Sequence, residues 1–251
     1  MTTRTSPSST NAAAAEVLPR RIRGRLTALL LLPPAAMACE VQVSPAETAE
    51  EAGLVEVRTL GPGIQVEARY FGSNNFTGAP VPGYEANACL LLPQVAEALA
   101  RVQHDLQAQG FGLLVYDCYR PVRSVQAFMD WAQGPDDPRQ KARWYPRVDK
   151  TDLVPDYISD SSGHSRGATV DLTLLQCTDA GCEPLHMGTP FDLFDPLSST
   201  DAPVPEAAQA NRQRLLAAMQ IRGFGNYPQE WWHYTLQPEP DPCTAYDVPV
   251  R

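Results

Sequence analysis

Two short motifs, far apart in the chain, together contain three potential metal ligands. The first motif, residues 162–171, contains His164 and Asp171, and the second, residues 230–233, contains His233. Two imidazoles and one carboxylate leave a fourth position open on a tetrahedral zinc ion, which is typical of catalytic rather than structural sites. A fold that binds zinc here must bring both motifs to one cleft, and hydrolysis is the first chemistry that the sequence predicts.

The second motif also contains a carboxylate that is not needed as a ligand. Glu230 stands three residues before His233, where it could act as a general base for the attacking water. In a regular strand the two side chains would face opposite ways, because side chains alternate along a strand. We therefore expect the chain to bend here, or Glu230 to lie just before the strand begins. In the first motif, Gly167 could allow the turn that brings His164 towards Asp171.

Each of these residues also has an ordinary structural explanation when it is taken alone. His164 could cap a loop, Asp171 could pair with an arginine, and the two tryptophans of the second motif could be core aromatics. Arg120 follows an apolar run and precedes a predicted helix, so we expect it to be held rigidly. It could be a structural partner of Asp117, or it could stabilise the oxyanion that forms when water attacks a peptide carbonyl.

The hydrophobic pattern predicts a single α+β domain over residues 53–251, because no Gly/Ser linker divides this range. Apolar residues at helical spacing predict helices over 93–109, from Pro121 onward and over 206–222. Apolar runs predict strands at 113–116, 168–174 and around 232–234. Residues 131–155 are rich in Pro, Asp and Arg and are predicted to be irregular. Helices segregated from a mostly antiparallel sheet, with the zinc site in a cleft, complete the predicted fold.

The N-terminus has the pattern of a secretory signal peptide over residues 1–38. A basic region is followed by an uncharged stretch, Leu26–Ala38, which ends in small residues. That stretch is shorter than the ~20 apolar residues that span a bilayer, and the alternative is a disordered basic tail. Cys39 follows directly, so the protein is expected either to be exported to the bacterial periplasm or to be anchored to the membrane by a lipid on Cys39. Residues 39–52 are predicted to be a flexible tether.

Export would permit disulfides among the remaining cysteines. Cys177 and Cys182 flank a turn-forming stretch and are predicted to pair, and Cys89 with Cys118 is the next pair that we would join. Cys243 would then remain unpaired, although a sequence cannot fix connectivity. The net charge of −9 makes nucleic acid an unfavourable partner. The oligomeric state is left open.

Four segments of the chain together resemble the D-alanyl-D-alanine dipeptidases, the VanX-type zinc enzymes of glycopeptide resistance and cell-wall turnover. The resemblance extends over most of residues 54–251. Its main motifs are Tyr116-Asp117-Cys118-Tyr119-Arg120-Pro121, residues 162–171, Met187-Gly188-Thr189-Pro190-Phe191-Asp192 and Glu230-Trp231-Trp232-His233-Tyr234. Two shorter matches, Asn75-Phe76-Thr77-Gly78 and Pro82-Gly83-Tyr84, lie nearer the N-terminus.

The resemblance implies a role for each residue of the predicted centre. His164, Asp171 and His233 would hold one zinc ion. Glu230 would be the general base, and Arg120 would contact the scissile carbonyl.

The resemblance also implies a small D,D-dipeptide as the substrate. Ser162 and Asp192 would lie near its free ammonium group, and a carboxylate is the group expected to fix such a cation. Two alternatives remain open. One is a zinc carboxypeptidase or endopeptidase that trims longer peptidoglycan stems, and the other is a zinc-bearing binding module without catalysis. The export signal and the extra cysteines depart from the cytoplasmic resistance enzymes. This departure argues against a drug-resistance role but leaves the implied chemistry unchanged.

Overall fold

The computed structural model describes residues 39–251, so the signal-peptide prediction for residues 1–38 lies outside the described residues. Within the described range the chain forms one compact unit. No helix in this range combines the length and apolar character that crossing a membrane requires.

Residues 39–251 contain four α-helices, and three of them follow the predicted pattern. They are α1 (Pro93–Gln107), α2 (Val122–Gln133), α3 (Pro138–Trp144) and α4 (Glu206–Ile221). Helix α1 begins at a proline, whose missing N–H costs nothing in the first turn. Helix α3 lies inside the stretch predicted to be irregular. It forms because the Asp137 side chain accepts a hydrogen bond from the Arg139 backbone N–H and caps its first turn.

The strands are β1 (Gln42–Val43), β2 (Val55–Glu56), β3 (Gln65–Val66), β4 (Leu90–Leu91), β5 (Phe111–Asp117), β6 (Thr169–Thr178), β7 (Gly181–Pro184), β8 (Phe224–Asn226), β9 (His233–Leu236) and β10 (Thr244–Ala245). The main sheet has the order β3-β5-β6-β9-β8, with β7 also paired to β6. Only its β3–β5 pair is parallel, so the prediction of a mostly antiparallel sheet in an α+β fold is confirmed.

The register of the central strands determines where the polar residues of the predicted site meet. Asp171 on β6 lies opposite Asp117 on β5 and opposite His233 on β9. Residues that are paired directly across an antiparallel sheet project from the same face. Three residues from distant parts of the sequence are therefore side by side at one end of the sheet.

The predicted tether over residues 39–52 is wrong, because this segment packs on the domain. Strand β1 pairs in parallel with β10, and Ala52 is buried. Cys39 forms a disulfide with Cys243, which contradicts the expectation that Cys243 is left unpaired. A sulfur atom in a disulfide cannot also carry a thioether-linked lipid, so pairing with Cys243 and lipidation of Cys39 exclude each other.

The structure contains both bridges that were predicted for the other cysteines. Cys177 and Cys182 are joined across the turn between β6 and β7, where they are paired in register. The second bridge joins Cys89 to Cys118. No free cysteine occurs in residues 39–251.

A buried arginine on α4 organises the long loop between β7 and α4. The Arg212 guanidinium donates hydrogen bonds to the carbonyl oxygens of Met187, Leu197 and Ser199 and to Thr189 Oγ1. Arg212 is fully buried, and burial lowers its pKa to about 10. Because its acceptors are all neutral and span the loop, this one side chain fixes the loop's path over the core.

We expect Arg212→Met to lower the free energy of unfolding by about 3–5 kcal/mol, because it leaves several buried carbonyl groups without donors. Denaturant unfolding monitored by circular dichroism measures this change. Arg101→Met is the matched control, since Arg101 is exposed on α1 and forms only a long surface contact with Glu97. That variant should stay within ~0.5 kcal/mol of the parent protein, and an equal loss in both would contradict the role given to Arg212.

The cysteine pairing can be tested on protein recovered from an oxidising compartment. Digestion without reduction should release Cys39 linked to Cys243 and Cys177 linked to Cys182. Mass spectrometry identifies the linked peptides. A diacylglyceryl group on Cys39, or an unmodified Cys243 thiol, would contradict the structure.

Candidate metal centre

The three predicted ligands converge although they belong to different elements. Asp171 and His233 are cross-strand partners on β6 and β9. His164 lies on a short 3₁₀ turn, and the Ser162 hydroxyl caps this turn by accepting a hydrogen bond from the His164 backbone N–H. The turn ends at Gly167, whose φ of 70° is left-handed and where a Cβ would lie 2.8 Å from a side-chain carbon of Leu54. Glycine is therefore required there.

The distances among the three side chains fit a zinc ion. His164 Nε2 lies 3.3 Å from Asp171 Oδ2 and 3.3 Å from His233 Nδ1, and His233 Nδ1 lies 3.1 Å from Asp171 Oδ1. Ligands at ~2.0–2.2 Å from a tetrahedral zinc are roughly 3.3–3.6 Å from one another. Asp171 Oδ1 is buried and forms no well-directed hydrogen bond despite the nearby imidazole. A buried carboxylate oxygen in this position lacks a partner that a cation would supply.

The orientation of His164 is set by its second ring nitrogen. His164 Nδ1 lies 2.7 Å from the carbonyl oxygen of Cys118, to which it donates a hydrogen bond. With the proton on Nδ1, the lone pair of Nε2 is free to face Asp171 and His233. Hydrogen bonds of this kind are typical of metal-ligating histidines.

Buried charge surrounds the ligands. Burial disfavours the ionised form of Asp171, but His164 and His233 outweigh it and hold the pKa of Asp171 below its usual range. At Asp117 burial dominates and raises the pKa. Asp117 is hydrogen-bonded by Tyr84, whose hydroxyl lies 2.6 Å from Oδ1. The ionised carboxylate of Asp171, between the two imidazoles, therefore favours the binding of a cation.

Glu230 lies in the turn before β9. This is the second of the two expected arrangements, in which Glu230 precedes the strand. Its Oε2 is 3.5 Å from His233 Nδ1, so its carboxylate faces the ligand cluster. Burial, followed by the charge of Asp171, raises the pKa of Glu230 to about 8. This carboxylate is a stronger proton acceptor than an ordinary glutamate.

Arg120 has the structural partner that the sequence offered as one of its two roles, and its position is compatible with the other. Its Nε and Nη2 each lie 2.9 Å from Asp117 Oδ2, so Asp117 is its structural partner. Its Nη2 is also 3.7 Å from Asp171 Oδ2, and its guanidinium carbon lies 5.0 Å from the centre of the Phe128 ring. The guanidinium is therefore fixed beside the ligand cluster, where it can contact a bound carbonyl.

Asp192 approaches the cleft from the loop that Arg212 organises. It is buried and adopts a φ of 60°, a left-handed conformation that aspartate tolerates better than most residues. The preceding Phe191 stacks on Tyr116 at 4.7 Å between ring centres and fixes the backbone here. Burial, followed by the charge of Asp171, raises the pKa of Asp192 well above its usual range. Its side-chain contacts include the Tyr70 hydroxyl, at 3.0 and 3.1 Å from the two carboxylate oxygens.

A cavity of about 210 Å³ joins these groups. It is smaller than the ~300–1,000 Å³ of most small-molecule pockets. Residues 155–159, 161 and 162 contribute to its lining, and the Tyr227 hydroxyl, which also lines it, donates a 3.1 Å hydrogen bond to the carbonyl oxygen of Asp156. Trp232 lines the cavity, whereas Trp231 packs behind it and donates a hydrogen bond to Thr189 Oγ1. The small volume of the cavity suits a small ligand.

All of the predicted site residues line this cavity. They are Arg120, Ser162, His164, Asp171, Asp192, Glu230 and His233. Sequence reasoning missed Tyr70, which contacts Asp192, and it did not anticipate that Tyr84 would reach Asp117. Tyr84 belongs to the Pro82-Gly83-Tyr84 motif, which was a usable signal, but nothing in the sequence around Tyr70 indicated its contact.

Comparisons with known proteins agree with this geometry. The sequence pattern of the Peptidase_M15 family, described as D-ala-D-ala dipeptidase, matches residues 50–251. The chain is 46% identical over 196 residues to a D-alanyl-D-alanine dipeptidase of Streptomyces coelicolor, covering 77% of this chain and 96% of that protein. It is 39% identical over 203 residues to one from Enterococcus faecium, covering 80% and 100%, and 40% identical over 190 residues to one from Enterococcus faecalis, covering 75% and 93%. The chain therefore belongs to the D-Ala-D-Ala dipeptidase family.

Proposed function

We propose that this protein is a zinc-dependent D,D-dipeptidase that hydrolyses D-alanyl-D-alanine. The observation that carries the proposal is the convergence of His164, Asp171 and His233 with Glu230 in one small cavity. A binding module has no use for Glu230, a buried carboxylate that faces the ligands without being one of them, so a non-catalytic role is disfavoured.

The protein's own residues can perform each part of the hydrolysis. Bound zinc supplies Lewis acidity, which acidifies water and polarises a peptide carbonyl. Glu230 is placed to take the proton of the attacking water and to return it to the leaving amine. Arg120, held by Asp117, is placed to stabilise the negative charge that develops on the carbonyl oxygen.

The proposed preference for a dipeptide rests on Asp192, which lines the cavity. Asp192 is a buried carboxylate whose contact with Tyr70 does not neutralise its charge. The free ammonium group of a dipeptide would supply the missing cation, with Ser162 nearby on the cavity wall. A longer peptidoglycan stem has an amide at this point, so a carboxypeptidase or endopeptidase would leave Asp192 without its partner.

We also propose that the protein works after export to an oxidising compartment. The absence of free cysteines in residues 39–251 supports this setting, since disulfides persist where thiols are not kept reduced. The Cys39–Cys243 bridge favours export without a lipid on Cys39. Whether the dipeptide comes from cell-wall turnover or from a resistance pathway does not affect the chemistry.

The direct test is hydrolysis of D-Ala-D-Ala by the purified protein with and without a chelator. We expect turnover in the zinc-loaded protein, loss of turnover after metal removal, and recovery when zinc is restored. Release of free D-alanine is the measurement. Turnover that survives complete removal of the metal would overturn the zinc mechanism.

Glu230→Gln should retain zinc and lose at least ~10²-fold in kcat, because glutamine is nearly isosteric but cannot accept the proton. Steady-state kinetics and metal analysis on the same samples separate the two effects. The control is Glu183→Gln, which makes the same change at an exposed position on β7. Near-parent turnover in the Glu230 variant would remove this residue from the mechanism.

Asp192→Asn should lower kcat/KM for the free dipeptide by about 10²-fold or more, because a buried ion pair with the ammonium group is lost. The N-acetylated dipeptide should be a poor substrate for the parent enzyme for the same reason. Asp201→Asn, an exposed substitution on the same loop, should change neither value. Equal cleavage of the acetylated and free dipeptides by the parent enzyme would favour the carboxypeptidase alternative.

A further inference from the structure

One disulfide lies directly beside the proposed zinc centre. Cys118 follows β5 and is bonded to Cys89, just before β4, and both residues are buried. The carbonyl oxygen of Cys118 is the acceptor, at 2.7 Å, for the Nδ1–H of His164. A bridged cysteine therefore carries the group that orients a metal ligand.

The sheet alone holds this carbonyl weakly. The β5–β6 ladder is irregular between Val115 and Asp117, so the regular hydrogen-bond pattern is interrupted just before Cys118. Beyond that point the chain leaves the sheet and turns towards Arg120, whose backbone N–H donates a 3.3 Å hydrogen bond to the carbonyl oxygen of His164. The Cys118 carbonyl therefore lies where strand pairing ends, and another contact must hold it in position.

Strand β4 supplies that constraint from both sides. The carbonyl oxygen of Leu90 accepts a 2.9 Å hydrogen bond from the backbone N–H of Tyr119, next to Cys118. The backbone N–H of Leu92 donates a 2.9 Å bond to the carbonyl oxygen of Gly167, which ends the turn that holds His164. The chain around β4 is therefore hydrogen-bonded both to the segment that carries His164 and to the segment that carries the Cys118 carbonyl. The disulfide also links this chain covalently to Cys118.

We propose that Cys89 and Cys118 are positioning residues for the zinc centre, which act through the Cys118 carbonyl to fix the imidazole of His164. This inference rests on the proposed zinc site but not on the substrate. Removing a hydrogen bond that orients a ligating histidine typically weakens metal binding by about 10–100-fold. Loss of the bridge leaves the carbonyl in place but less constrained, so the expected weakening is near the lower limit, about tenfold.

A second disulfide provides a matched control in the same molecule. Cys177 and Cys182 close the turn between β6 and β7, beyond the segment of β6 that pairs with β9. At ~3.3 Å per residue, Cys177 lies roughly 20 Å along β6 from Asp171. Removing this bridge changes the number of disulfides equally without touching the ligands.

The experiment compares Cys89→Ala/Cys118→Ala with Cys177→Ala/Cys182→Ala. The zinc dissociation constant is measured by competition with a chromogenic chelator, at a temperature where circular dichroism shows both variants folded. We expect it to rise about tenfold in the first variant and less than twofold in the second. The visible absorption of the cobalt-substituted proteins should change only in the first, because it reports ligand geometry.

The proposal is overturned if the first variant keeps parent zinc affinity and cobalt absorption while only its melting temperature falls. It is also overturned if both variants lose affinity equally. Should the alanine pair fail to fold, Cys89→Val/Cys118→Ala restores most of the buried volume and is judged by the same two readouts. Neither readout uses a substrate, so a protein that fails to hydrolyse D-Ala-D-Ala would refute the proposed function and leave this comparison valid.

Discussion

The constraint on which the rest of the structure depends is the burial of four carboxylates in and beside one cleft. Asp117, Asp171, Asp192 and Glu230 are all buried. An isolated buried charge is costly, so each needs its own compensation. Arg120 compensates Asp117 within the protein. In the proposed function the other three would be compensated by a metal ion at Asp171, by the ammonium group of the substrate at Asp192 and by a proton at Glu230.

The sheet register is what makes this cluster possible. Because Asp117, Asp171 and His233 are adjacent on three paired strands, their positions are fixed by backbone hydrogen bonds and not by flexible loops. The residues that must meet a substrate, such as Asp192 and Glu230, come instead from a loop and a turn. The backbone at Asp192 is held by the stacking of Phe191 and by Arg212, and the turn at Glu230 is held by the Asn226 side-chain amide, which donates to the Glu230 carbonyl oxygen. In the proposed function the residues on the sheet would bind the metal, and the residues on the loop and the turn would select the substrate.

Much of the site could be predicted from the sequence because its residues lie in short motifs with clear chemical character. The bend before His233 followed from strand alternation alone, and Glu230 does precede the strand. The contact of Tyr70 with Asp192 could not be predicted, since it joins two loops without a shared motif. Helix α3 was missed because a proline and a capping aspartate, which begin a helix, also resemble turn residues. The segment from Cys39 was misjudged because the pairing of β1 with β10 is visible only in three dimensions.

The pairing of the two ends of the domain has a consequence for how the molecule can open. Cys39 and Cys243 are 204 residues apart, and strands β1 and β10 pair beside their bridge. The C-terminal tail is held in turn, because the backbone N–H of Val250 donates to the carbonyl oxygen of Gly83. Residues 39–243 are thus a covalently closed loop of chain, and the tail after Cys243 is held by hydrogen bonds. Local unfolding within this loop cannot start at a chain end and must begin at an internal segment.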